Sequence, residues 1–389
     1  MDKRLFLLDA MALIFRAYYA LIRNPRITSK GKNTNAQFGF TNTLVDLINN
    51  QKPTHMAVCF EGGRPSDRVN DFADYKANRQ EAPEDLMAAM PDIKRIIQGF
   101  NIPIMEYDGF EADDVIGTLS KQAEKLGYEV YMVTPDKDYG QLVSDKIKIY
   151  KPGYQGGDVE IMGPQEVCDK WCIQNVDQVK DILGLMGDAV DNIPGIAGVG
   201  QKTACKLITE YGSVEAILAN ADNIKGSLGE KVRAGKEAAI MSKKLATIIT
   251  DVPVEFHEED FRLKDWNKEA LRDVFNDLEF KTVIKRLLGD DGSEATTPKK
   301  QAAGVQTDLF GGGTTEAEAP EENNVVSPGK NISNVEHEYE LVESEGEFKA
   351  LIEALEGQTE ISFDTETTGL DANNASLVGM SFSIKTQSG

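Results

Sequence analysis

Glu111, Asp113 and Asp114 put three carboxylates within four residues of the stretch GFEADDVIGTLS, residues 109–120. Such a group can hold a divalent cation. It can equally open a helix, because Val115, Ile116, Leu119, Ala123 and Leu126 follow at helical spacing and acids favour a helix N-terminus. Taken alone, the stretch supports both readings. Acids elsewhere favour the metal. RLFLLD ends in Asp9, HMAVCFE in Glu61, and YEVYMVTPDKD in Asp136 and Asp138. Each run is short, continuously apolar and rich in β-formers, as a buried parallel strand should be. Helical patterns lie between the runs, so the order β-α-β-α-β predicts an α/β fold on a parallel sheet. In such sheets ligands bind beyond the carboxyl ends of the strands. Asp9, Glu61, Asp136 and Asp138 would then share one rim with Glu111, Asp113 and Asp114. Seven like charges in one crevice repel, and divalent cations relieve the repulsion. All-oxygen donors select the hard ions Mg²⁺ or Mn²⁺ over zinc.

The 389 residues allow two or three domains, and a hydrophobic content of 41% can fill their cores. No apolar run approaches the roughly 18 residues of a membrane span, and MDKRLFLLDA lacks the features of a signal peptide. Cys59, Cys168, Cys172 and Cys205 form no paired metal motif and read as free thiols. A reduced, cytoplasmic, monomeric protein is expected. The net charge of −22 is unevenly placed: after residue 290 there are 19 acids against 5 bases. The region before it is far less acidic, so Lys and Arg on one face there can still meet phosphates.

ALIFRAYYAL (12–21) and TNAQFGFTNTLVDLI (34–48) read as helices packing on the sheet. Glu61 opens the charged stretch GGRPSDRVNDFADYKANRQEAPEDL, which holds Arg64, Arg68, Tyr75, Lys76 and Arg79. Lys76 and Arg79 are spaced for one helical face, with Tyr75 adjacent. A solvated helix is the plain reading, but it leaves these cations without a role. Past Asp138 a loop region shows strand character in DVEIMG. Asp188 and Asp191 lie three apart near a helix end. NIPGIAGVGQKTA then leads into the helix KTACKLITEYG. Gly198 and Gly200 permit close backbone approach, the helix start offers free N–H groups to a phosphate, and Lys202 adds charge. A Gly-rich turn alone means little. Directly after MGDAVDN it reads as a helix–hairpin–helix that binds DNA backbone without reading sequence.

LLDA, VCFEGGRPSDR, YKANR, GFEADDVIGT, TPDKDYGQL, MGDAVDNIPG and GVGQKTA stand in the order and spacing of one family. Together they resemble the 5′-nuclease domain of bacterial DNA polymerase I, a member of the flap-endonuclease family, over roughly residues 1–288. One departure is Glu61, where that family usually has Asp. The resemblance implies a parallel-sheet, PIN-like core at residues 1–175 with a helical arch at 64–95. An α-helical helix–hairpin–helix subdomain is implied at 176–289, with the hairpin motif at 187–210. It implies two Mg²⁺ or Mn²⁺ ions about 4 Å apart. Asp9, Glu61, Glu111 and Asp113 would hold one. Asp113, Asp136, Asp138 and Asp191 would hold the other, with Asp114 and Asp188 acting through water. Lys76 and Arg79 would neutralise the scissile phosphodiester, making them, with Asp113 and Asp136, the catalytic set. Tyr75, Gly198, Val199, Gly200, Lys202 and Thr203 would contact DNA. The implied reaction is hydrolysis at 5′ flaps and 5′ ends of nicked or gapped duplex DNA, RNA primers included.

Residues 290–335, rich in Gly, Pro, Thr, Glu and Ala, read as a disordered acidic linker. Within it Gln306, Asp308, Leu309 and Phe310 resemble the Q-x-[SD]-L-F peptide that docks bacterial sliding clamps. From 336 to 389 order returns, and FDTETTGL with Asp364 and Glu366 resembles the first motif of an RNase H-like 3′-5′ proofreading domain. Later motifs of that domain do not follow, so this part is expected to be partial and the chain to be the front of a longer protein. A PIN-like metal-dependent ribonuclease would share the acids but lack GVGQKTA. A non-catalytic DNA-binding module would not need the complete acid set.

Overall fold

The computed structural model describes residues 3–64, 66–79, 81–153, 159–289, 342, 344–358, 361–367 and 376–383. The chain divides into two units, 1–306 and 307–389. The clamp-like motif 306–310 lies outside the described residues, as does the rest of the expected linker.

The first unit is built on β1 (Arg4–Asp9), with α1 (Ala10–Ala20) and α2 (Asn35–Asp46) following. Next come β2 (His55–Cys59), α3 (Asp67–Asp71), α4 (Glu84–Gly99), β3 (Ile104–Met105), α5 (Ala112–Lys125), β4 (Glu129–Val133), β5 (Ile147–Lys151) and β6 (Glu160–Met162). The sheet order is β3-β2-β1-β4-β5-β6. The first five strands run parallel, and β6 pairs antiparallel with β5. The chain moves outward from β1 through β2 to β3 and then returns to β4 on the other side. The β1/β4 boundary is therefore the switch point where an open α/β sheet forms its crevice.

Both faces of β1 are buried, which is why RLFLLD reads as a continuous apolar run. Its side chains alternate between two cores. Leu5 and Leu7 face the core that includes α5 and the later hairpin subdomain, whereas Phe6 and Leu8 face α1, α2 and α4. Each such fully buried Leu contributes about 1.5–3 kcal/mol.

α6 (Pro164–Trp171), α7 (Val179–Met186), α8 (Gln201–Tyr211), α9 (Val214–Ala219), α10 (Gly226–Ala234) and α11 (Lys236–Ala246) form the helical part. α12 (Glu258–Phe261) follows, and α13 (Lys268–Asp277) and α14 (Lys281–Leu288) close the unit against the other face of the sheet. The change near residue 175 is one of architecture rather than a break in the core, because residues on both sides of it share one apolar cluster. In the second unit, α15 (Glu345–Glu356) stands with an antiparallel pair, β7 (Ser362–Thr367) and β8 (Leu377–Ser383).

Candidate active site

Asp9 closes β1 and caps α1, accepting the Ala12 N–H at 3.2 Å on Oδ1. Its other oxygen accepts from the Thr134 hydroxyl at 3.1 Å and the Tyr139 hydroxyl at 3.3 Å. Burial and the nearby Asp136 charge push its carboxyl up to about 6 against the pull of these hydrogen bonds. Glu61 stands two residues past β2 and is half exposed. Gly62 beside it is pressed on the Tyr107 backbone: a Cβ there would sit 2.2 Å from the Tyr107 carbonyl oxygen. Only glycine lets the chain pass at that point.

Glu111 is the N-cap of α5. It accepts from Ser66 at 2.7 Å, Tyr75 at 3.2 Å and the Lys76 ammonium at 2.6 Å. Burial opposes its ionisation, but Lys76 and Arg68 outweigh that and bring it down to about 2. Asp113, two residues on in the first turn of α5, faces the cleft; burial and the neighbouring Asp114 raise its carboxyl well above the usual range. The helix-start reading of this stretch is realised, and the capping Glu111 also lines the cleft.

Asp136 and Asp138 follow β4 on the opposite side of the cleft. Asp136 lines the cleft with its side chain open to solvent. The protein packed around it, with Asp191 and Asp188, raises its carboxyl. Asp138 is pushed up to about 8 by burial and by Asp136 and Asp188. Its Oδ1 is buried without a hydrogen-bond donor among the described residues.

Asp188 and Asp191 come from a tight loop between α7 and α8. Asp188 and Ile193 exchange backbone hydrogen bonds at 2.9 and 2.8 Å, closing the loop so that it projects toward the sheet rim. Asp188 pairs with Lys137 at 2.9 Å. Asp191 meets Lys76 at 4.0 Å and accepts from Arg79.

Asp9, Glu61, Glu111, Asp113, Asp136, Asp191, Lys76 and Arg79 thus line one cleft of about 270 Å³. Asp138 and Asp188 stand beside it. Asp114 does not reach it: fully buried, it faces the other side of α5 and grips Arg68. A water-mediated ligand role for Asp114 does not fit that placement.

Lys76 and Arg79 reach the acids, but not from a helix face. Residues 73–79 form consecutive turns, and Lys76 sits in the left-handed region at φ 58°. Among the described residues of the arch region, only α3 and α4 are helical. Tyr75 is 6% exposed, its hydroxyl between Glu111 and Asp191, so it braces the acids rather than offering a ring to a base.

In the hairpin, Gly198 has φ 72°, as the turn requires. Gly200 is the N-cap of α8, and Lys202 is exposed. Val199 is buried, and its N–H donates to Ile196 at 2.9 Å, so neither its side chain nor its amide is offered outward. The Thr203 N–H is turned onto the Gly200 carbonyl at 3.0 Å. Sequence reasoning missed Ser66, Thr134, Lys137 and Tyr139 as partners of the acids. Thr134, Lys137 and Tyr139 flank Asp136 and Asp138 in sequence, but the acids they touch, like the Glu111 partner of Ser66, lie at least 45 residues away, so no local signal announced them.

Among the described residues, no three His, Cys, Asp or Glu side chains already converge as an ion cage. The counter-charge comes from Lys76 and Arg79 instead. The donor set still suits hard divalent cations: it is all carboxylate oxygen, several carboxyls are pushed toward protonation, and a buried Asp138 oxygen lacks a donor.

Residues 4–172 match the model of the 5′-3′ exonuclease N-terminal resolvase-like domain, and residues 174–269 that of the 5′-3′ exonuclease C-terminal SAM fold. Residues 4–269 belong to the 5′-3′ exonuclease family. Residues 339–389 of the same chain match the 3′-5′ exonuclease model. DNA polymerase I of Bacillus subtilis (strain 168) is 42% identical over 297 residues, which cover 75% of this chain and 33% of that one. DNA polymerase I of Caldicellulosiruptor bescii is 39% identical over 287 residues, 73% of this chain and 33% of that one. The chain thus spans about a third of the length of these curated relatives. The bacteriophage T5 D15 flap endonuclease, solved as a pseudo-enzyme-product complex with DNA and metal ions, superposes with a TM-score of 0.54 at 19% identity, covering 71% of this chain and 99% of that one. That likeness is one of fold. In the exonuclease segment, no helix of the described residues is long and apolar enough to cross a membrane.

Proposed function

We propose that residues 1–289 are a structure-specific 5′ nuclease that hydrolyses phosphodiesters at 5′ flaps and 5′ ends of duplex DNA, RNA primers included. The observation that carries this reading is the cleft itself. Acids from β1, α5 and the β4 rim meet two cations from the arch, and the loop that supplies Asp188 and Asp191 runs directly into the hairpin. One strand of a duplex held at the hairpin would have its phosphates led to the acids.

Asp9, Glu111, Asp113, Asp136, Asp138 and Asp191 would hold two Mg²⁺ or Mn²⁺ ions. Glu61 would reach in from the rim, and Asp188, paired with Lys137, would orient its loop. When bound, such ions lower the pKa of a water and stabilise a leaving oxygen. The T5 nuclease of like fold was solved with metal ions and DNA, which supports the choice. Lys76 and Arg79 would exchange their carboxylate partners for the non-bridging oxygens of the scissile phosphate. They are placed for this because the cations already stand between the acids. The Lys202 ammonium and the first turn of α8 would take a duplex phosphate.

We further propose that Gln306, Asp308, Leu309 and Phe310 dock a sliding clamp, with Leu309 and Phe310 as apolar anchors. Asp364 and Glu366 lie on β7, and we propose that they supply only part of a 3′-5′ exonuclease site. The test of the main reading is a panel of labelled substrates with Mg²⁺: a 5′-flap duplex, a 3′-flap duplex and single-stranded RNA. Release of the 5′ flap alone supports it; preference for single-stranded RNA favours a ribonuclease instead.

A further inference from the structure

Arg68 and Asp114 are both buried, 6% and 0% exposed, and make a bidentate pair. Nη1 donates to Oδ2 at 2.9 Å and Nη2 to Oδ1 at 2.7 Å. The rest of the guanidinium is also committed. Nε donates to the Leu245 carbonyl at 3.0 Å, and Nη2 to the Thr247 carbonyl at 2.9 Å. Nη1 lies 3.4 Å from Glu111 Oε1. The Asp114 carboxylate, besides Arg68, accepts the Glu111 N–H at 3.2 Å and the Ile249 N–H at 2.8 Å.

Three segments distant in sequence therefore meet at one pair: the arch entry at Arg68, the first turn of α5, and residues 245–249. The third segment leaves α11, and α11 touches the hairpin itself, since Ser242 accepts the Gly195 N–H at 2.9 Å. Hydrogen bonds joined by the backbone from Ser242 to Thr247 thus connect the hairpin, through the pair, to the backbone of Glu111.

We propose that Arg68 and Asp114 are a positioning pair that sets where Glu111 and Asp113 stand in the cleft and ties that placement to the hairpin subdomain. The proposal rests on the reading of the cleft as a metal-dependent nuclease site. It differs from a mere stability anchor in what it moves. Groups that orient ligand carboxylates change metal affinity and turnover by about 10–100-fold, whereas an anchor changes only melting.

The test uses the whole chain. In R68M/D114L both charges are removed together, so neither is left as a lone buried charge. Three quantities are read: circular dichroism, Mn²⁺ binding to DNA-free protein by titration calorimetry, and kcat and KM on a labelled 5′-flap duplex. The expected result is native dichroism, Mn²⁺ affinity at least about 10-fold weaker, kcat down about 10–100-fold and KM within about 3-fold. Arg68→Lys should show the same split, because an ammonium cannot make the two-pronged contact. If the double variant does not fold, Arg68→Lys carries the comparison. Wild-type Mn²⁺ affinity and kcat in a folded variant, or full recovery in Arg68→Lys, would overturn the proposal. If the wild type itself cleaves no DNA, the nuclease reading fails, and the Mn²⁺ titration still decides on the pair.

Discussion

The Lys76 N–H donates to the Asp191 carbonyl at 2.9 Å, so the base of the arch is hydrogen-bonded to the loop that precedes the hairpin. Two more contacts secure the same junction: Asn78 donates to the Ala189 carbonyl at 2.6 Å and Asn192 to the Asp74 carbonyl at 2.7 Å. The cations that meet the acids are thus delivered by the arch and the hairpin loop together. Lys76→Ala and Arg79→Ala should each lower kcat by roughly 10²–10³ while changing KM little, as groups acting on transition-state charge do. Single-turnover cleavage at saturating duplex checks this. A variant that loses only affinity would make its residue a binding contact.

The carboxylates predict an unusual link between pH, metal and stability. Asp9 at about 6 and Asp138 at about 8 keep protons in the folded chain that the unfolded chain has already released. A raised acid contributes its stability below the unfolded value near 3.8, and that contribution is lost as pH rises through the folded value. Metal-free protein should therefore lose stability from about pH 4 to about pH 8, with Asp9 alone contributing on the order of 3 kcal/mol. Glu111 acts in the opposite sense, since its contribution is present above 4.5 and lost as pH falls toward about 2. Mg²⁺ displaces the protons, so the rise in Tm on adding it should be larger at the alkaline end of the window. Calorimetric melts with and without Mg²⁺ measure this, and an equal Mg²⁺ effect across the window would contradict it.

Gly198 is held at φ 72°, and an added Cβ would lie 2.8 Å from the Lys231 ammonium. Gly198→Val should strain the turn by about 1–3 kcal/mol and weaken duplex binding on every sequence alike, as expected of a hairpin that would meet only backbone. Fluorescence anisotropy on unrelated duplexes is the check; a loss confined to some sequences would refute it.

If residues 306–310 dock a clamp as proposed, so short a peptide should bind weakly by itself, roughly in the micromolar range, because fixing a peptide on its partner offsets much of the contact energy. Clamp binding by the intact chain should be lost in Leu309→Ala/Phe310→Ala. Equal binding by both, or none by either, would retire the idea.

Asp9 could be read from sequence because a strand buried on both faces leaves a continuous apolar run, and an acid at its end stands out. β3 could not, being two residues long. β6 showed strand character but gave no sign of its reversed direction. Asp113 and Asp114 are adjacent, and one step along a helix rotates a side chain by about 100°; which of them faces the cleft depends on how α5 sits on the sheet. The Arg68 partnership spans 46 residues to Asp114 and 177 to Leu245, so no local pattern announces it. Lys76 was legible as a cation near the site, but not as a left-handed residue, since Lys rarely adopts that conformation.

If this cleft cuts DNA through its acids, removing the carboxylate of Asp113 should stop cleavage. The most direct measurement compares wild type and Asp113→Ala on a labelled 5′-flap duplex with Mg²⁺, alongside binding of the same duplex without it. The wild type should release the flap only when Mg²⁺ is present. Asp113→Ala should bind the duplex about as well and release none. Flap release by Asp113→Ala near the wild-type rate would mean that the acids of this cleft do not carry the reaction.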